Sequence, residues 1–96
     1  MTRSDLFKFR LFIAGDGANS SLALTNLRAL CQANVPDQFD IEVVDVFREP
    51  RRALAEGVFM TPTVIKLVPP PLRRIVGTLT DSEMVLNAFG LETAIA

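Results

Sequence analysis

No histidine, tyrosine or tryptophan occurs among the 96 residues, and cysteine occurs once. These absences exclude much chemistry. Without histidine, no Ser-His or Cys-His nucleophilic pair forms, and a metal site would need carboxylates alone. No metal, no cofactor and no enzymatic activity are therefore expected. One cysteine makes no internal disulfide, which fits a reducing, cytoplasmic compartment. No apolar run approaches the ~20 residues needed to span a membrane. The opening MTRSDLFKF lacks the apolar centre of a signal peptide. The five glycines form no Walker-type or dinucleotide-type loop. A net charge of −1, from ten basic and eleven acidic residues, argues against general nucleic-acid binding.

What is present describes a single domain over residues 1–96. Nearly half the residues are apolar (49%), enough for one core and too many for disorder. Leu6 to Ala14 alternates apolar residues with Lys8 and Arg10, then turns wholly apolar, as a strand entering a buried position does. Gly15-Asp16-Gly17-Ala18 is a turn by composition. Asn19, Ser20 or Ser21 is expected to cap a helix over 20–33, with Leu24, Leu27, Leu30 and Cys31 on its apolar face. Pro36-Asp37 ends it. Ile41 to Phe47 is β-branched and reads as a second strand, completing a right-handed βαβ unit with a parallel pair. Glu49-Pro50-Arg51 starts a short helix that Gly57 stops. Thr80-Asp81-Ser82-Glu83 matches a capping box, with Thr80 and Glu83 as the reciprocal pair. Met84, Val85, Ala88 and Phe89 give the last helix its apolar face.

Residues 60–77 carry the densest signal. Val64–Val68 and Leu72–Val76 are strand-like, and the short connection Pro69-Pro70-Pro71 predicts an antiparallel hairpin. Proline fixes its own φ, and each X-Pro bond prefers trans by only ~0.5–1 kcal/mol, so the segment has choices of isomer. The resulting order is βαβ followed by αββα, an α/β arrangement of thioredoxin-like order βαβαββα. Thr61-Pro62 stands where that fold commonly carries a cis-proline. No Cys-x-x-Cys follows the first strand, so redox chemistry is not expected. Cys31 reads as core. Arg73 and Arg74 are strand neighbours and face opposite ways, so one is expected in solvent and the other in an ion pair. Arg48, Arg51 and Arg52 read as a solvated helix start. Glu42 and Asp45 lie on opposite faces and make no catalytic pair.

The runs LFIAG, NS before a helix, VVDVFREP, MTPTVIKLVPPPLRRIVG and TDSE together resemble the circadian clock protein family KaiB, over residues 7–91. The resemblance implies a non-enzymatic regulator of a KaiABC-type clock or of a timing or stress system, docking on a hexameric KaiC-type ATPase. It also implies KaiA or a histidine kinase as further partners, a homo-oligomer (dimer or tetramer), and no membrane or nucleic acid. Such proteins switch to an alternative ground-state fold (βαββααβ) in which the second half is rearranged. Two packings of one sequence need differ by only a few kcal/mol for this. Arg10, Lys66, Arg73 and Arg74 are the expected partner-facing charges. Pro62, Pro69, Pro70, Pro71 and Gly77 are the expected switch elements. Departures from the family pattern mark a divergent member: Gly15-Asp16-Gly17-Ala18-Asn19-Ser20 has no proline, and Leu22 and Gly57 replace an arginine and a lysine.

Overall fold

Phe7, Phe9 and Leu11 alternate with Lys8 and Arg10, and strand geometry sends the two sets to opposite faces. This strand, β1 (Phe7–Ile13), lies at the middle of the sheet in a computed structural model that describes residues 6–91. Around it the chain runs α1 (Ala18–Asn34), β2 (Phe39–Asp45), α2 (Pro50–Ala55), β3 (Thr63–Val68), β4 (Arg73–Val76) and α3 (Ser82–Phe89). The sheet order is β2-β1-β3-β4. β1 and β2 are parallel, joined through α1, and the other two pairings are antiparallel. This is the expected βαβαββα order.

The sheet separates two cores. On one face Phe7, Phe9, Leu11 and Val64 meet Ala23, Leu27 and Cys31 of α1 and Val85 and Phe89 of α3. Phe9 and Phe89 interlock as a tilted aromatic pair with ring centroids 5.3 Å apart. On the other face Phe12, Val44 and Ile65 are covered by Ala53 of α2 and by Val58. No helix among the described residues is long and apolar enough to cross a membrane.

Several boundaries differ from expectation for local reasons. β2 starts two residues earlier than the apolar run suggests, because Phe39 and Asp40 pair with Phe7 and Lys8, and it ends two residues earlier because the Asp45 carboxylate accepts the Gly15 and Phe47 backbone N–H groups at 3.2 and 2.9 Å. That pins the turn and leaves Phe47 outside the strand. α1 begins at Ala18 with Gly17 as N-cap and no side-chain cap, so Asn19, Ser20 and Ser21 lie inside the first turn. The expected capping box is also corrected. Asp81, and not Thr80, is the N-cap of α3, accepting from the Met84 N–H at 3.1 Å. Thr80 instead shares a hydroxyl contact with Thr78.

The hairpin of β3 and β4 is antiparallel as expected, with Lys66 opposite Arg73 and Ile65 opposite Arg74. Pro69 to Pro71 lie in its connection, and the peptides preceding Pro62, Pro69 and Pro71 are cis. Beyond β4, Gly77 takes φ +123°, a region that strains any L side chain, while donating its N–H to the Pro62 carbonyl.

Candidate interface

Strand alternation divides the four expected partner-facing cations into two pairs. Arg10 and Arg74 lie on the α2 face, in a row that crosses all four strands as Glu42, Arg10, Ile65 and Arg74. Lys66 and Arg73 lie on the α1/α3 face. No single surface presents all four.

The α2-face pair is engaged within the molecule. Arg10 bridges Glu42 through Nε and Glu56 through Nη1, each at 2.7 Å. Arg52 adds contacts to Glu42 at 2.9 Å and Glu49 at 3.4 Å. The Arg10 and Arg52 guanidiniums hold the Glu42 carboxyl below the usual range, and Glu42 in turn raises Arg10. Arg74 donates to the backbone carbonyls of Gly57, at 2.9 Å, and Glu56. It is satisfied by carbonyls, where an ion pair or solvent was expected. Arg10 and Arg74 therefore clamp the α2–β3 connection at Glu56 and Gly57 from two sides. They position that connection.

What the connection carries is apolar and exposed. Phe59 is 84% exposed and Met60 65%, in the loop that leads into β3. Because β3 runs antiparallel to β1, that loop lies at the end of the sheet where β1 and β2 terminate. Phe47, 74% exposed, stands at the same end beside Gly15. Exposed contiguous apolar surface commonly marks an interface. Arg48 and Arg51 are exposed nearby. This apolar end was missed in the sequence because Phe47 and Phe59 look no different there from the buried Phe7, Phe9, Phe12 and Phe89.

The other pair has a different setting. Lys66 is 4% exposed, and its Nζ donates to the Phe89 carbonyl at 3.2 Å. Burial first, and the nearby Arg73 second, push its pKa down. Arg73 is exposed, as expected for one of the two strand neighbours. Both line an open cleft of about 610 Å³ with Pro71, Met84, Asn87 and Gly90.

Where a thioredoxin-like protein would hold its redox pair, a cleft of about 300 Å³ is lined by Gly17, Ala18, Asn19, Ser20, Thr61 and Pro62, with no thiol. Cys31 lies fully buried, its thiol pushed up to about 12 by burial. Among the described residues no group of His, Cys, Asp or Glu is placed to hold a metal ion.

Comparison with known proteins agrees with this architecture. The chain is 16% identical to the N-terminal domain of Synechococcus elongatus SasA, with a TM-score of 0.74, covering all of this chain and 94% of that one. It is 18% identical to mitochondrial thioredoxin 3 from Saccharomyces cerevisiae, with a TM-score of 0.69, covering 91% and 79%. These likenesses establish the thioredoxin-like fold. In sequence the chain is 43% identical over 77 residues to the circadian clock protein KaiB3 of Synechocystis sp., covering 80% of this chain and 76% of that protein. It is 38% identical over 91 residues to the circadian clock oscillator protein KaiB of Prochlorococcus marinus, covering 95% and 78%. The KaiB domain model matches residues 10–91, and the chain belongs to the KaiB family of circadian clock regulatory proteins.

Proposed function

We infer that this protein is a non-enzymatic regulator that docks on a KaiC-type ATPase through the apolar end of its sheet. The observation that carries the reading is the exposure at one end of the sheet of Phe59 and Met60, on a loop held by Arg10 and Arg74, and of Phe47 in the turn after β2. Large apolar side chains on a braced loop lose little conformational entropy on binding, so more of the buried area appears as affinity. Arg48 and Arg51 suit an acidic rim on the partner, while Lys66 and Arg73, on the other face of the sheet, lie outside this docking surface. Cytoplasmic residence, self-association and KaiA as a third component accompany this reading, as the family resemblance implies. So does a rearrangement of the second half of the chain, with Pro62, Pro69, Pro70, Pro71 and Gly77 in the segment that moves.

The test is capture by a KaiC-type ATPase, with and without nucleotide, beside a histidine kinase sensor as the alternative partner. Wild type is expected to bind the ATPase. Phe59→Ser with Met60→Ser should weaken capture at least tenfold while leaving the fold intact, because both residues are exposed. Capture by the kinase alone, or full binding by the double variant, would overturn the reading. For the rearrangement, NMR of the free chain should show a second set of peaks confined to the second half, and their absence on partner binding as well would refute it.

A further inference from the structure

The cleft between β4 and the end of α3 has an unusual charge balance. Lys66 and Arg73 both face it, and none of the described residues that line it is acidic. Buried ammonium groups ordinarily have a carboxylate beside them, because taking an unpaired charge out of water is expensive. Among the described residues, Lys66 is bonded to the Phe89 carbonyl alone, at the partially negative end of α3. That contact uses one of three ammonium donors. Arg73 has no ion-pair or hydrogen-bond partner among the described residues, and its planar fork is free. The remaining walls are Pro71, Met84 and Ala88, with the Asn87 carboxamide at one side. The volume of about 610 Å³ lies within the range of small-molecule sites, roughly 300–1,000 Å³.

We propose that this cleft binds a small organic anion, a carboxylate or phosphate monoester with a compact apolar body. The anionic head lies between the Lys66 ammonium and the Arg73 fork, which donates two N–H groups to two oxygens side by side. The apolar body rests on Pro71, Met84 and Ala88. The anion supplies a counter-charge that none of the described lining residues provides. The inference stands apart from docking on an ATPase, since it concerns the opposite face of the sheet and is tested on the isolated chain.

The experiment is an amide NMR titration of the full chain at constant ionic strength, with inorganic phosphate, phenyl phosphate and benzoate as probes. Benzamide serves as the uncharged control, and a short glutamate-rich peptide represents a protein source of the same carboxylate chemistry. Saturable shifts confined to residues 66, 72–73 and 87–90 are expected, with phenyl phosphate tighter than inorganic phosphate and benzamide inert. Arg73→Gln should weaken phenyl phosphate at least tenfold, and Lys66→Met should abolish saturation with β1 amides unmoved. Should Lys66→Met fail to fold, the exposed Arg73→Gln variant decides. Shifts that never saturate, that chloride reproduces, or that Arg73→Gln leaves unchanged would overturn the site. Saturation by the peptide with none by the small anions would overturn the small-molecule assignment.

Discussion

Cys31 and Glu42 show how much a side chain's chemistry depends on its surroundings. The Cys31 thiol is enclosed between α1 and the sheet, and its pKa of about 12 leaves almost no thiolate at neutral pH. A thiol reagent should therefore label it only as fast as the protein opens, and labelling at the rate of a free thiol would contradict the burial. Cys31→Ala should leave partner capture within a few fold of wild type. Glu42 behaves oppositely, exposed at 44% but held by two arginines. Its folded pKa is lowered, so its contribution to stability is present above the ordinary carboxylate pKa of about 4.3 and is lost as pH falls through the lower folded value. Solvent screening limits that contribution to about 0.5–1 kcal/mol. Glu42→Gln should be less stable than wild type by that amount at pH 7. The difference should disappear in acid, and a pH-independent difference would rule out the ion pair as its source.

Among the elements, α3 is capped at both ends, and Asp81 is its one side-chain cap. Asp81 accepts the Met84 N–H, and Gly90 closes the other end in a left-handed conformation at φ +66°. Asp81→Ala should cost about 1 kcal/mol. For a domain of this size that is a fall in Tm of about 4–8 °C. Thr80→Ala should cost much less, because it removes only a solvent-exposed hydroxyl contact. Thermal unfolding of the two variants separates Asp81 capping from a Thr80–Glu83 box, and equal losses would favour the box. The α2–β3 connection depends on longer-range partners. Its clamps come from Arg10 on β1 and Arg74 on β4, so its order follows that of the whole sheet.

Taken as a unit, the domain buries its two cores and still leaves Phe47, Leu54, Phe59, Met60 and Leu72 more than half exposed. So much large apolar surface on one small domain favours association. Light scattering at micromolar concentration should give a mass of two or four chains. The Phe59→Ser, Met60→Ser variant should shift that distribution toward monomer. Wild type that stays monomeric over the whole range would contradict self-association.

Element order was legible in the chain because it rests on local regularities. Period-two alternation in β1, apolar spacing in α1 and the proline-bounded hairpin each act within a dozen residues. The KaiB resemblance was legible for a similar reason, being carried by contiguous runs such as TPTVIKLVPPPLRRIVG. Strand alternation alone also places Arg73 and Arg74 on opposite faces. What neither residue could reveal was its partner. Arg10 meets Glu56 across 46 positions, and Arg74 meets the carbonyls of Glu56 and Gly57 across 18 and 17. Such pairings depend on sheet order and register, and those emerge only when the strands assemble. For the same reason seven phenylalanines with one chemistry take different fates. Five lie in or against the cores, while Phe47 and Phe59 stand exposed because no neighbour among the described residues covers them.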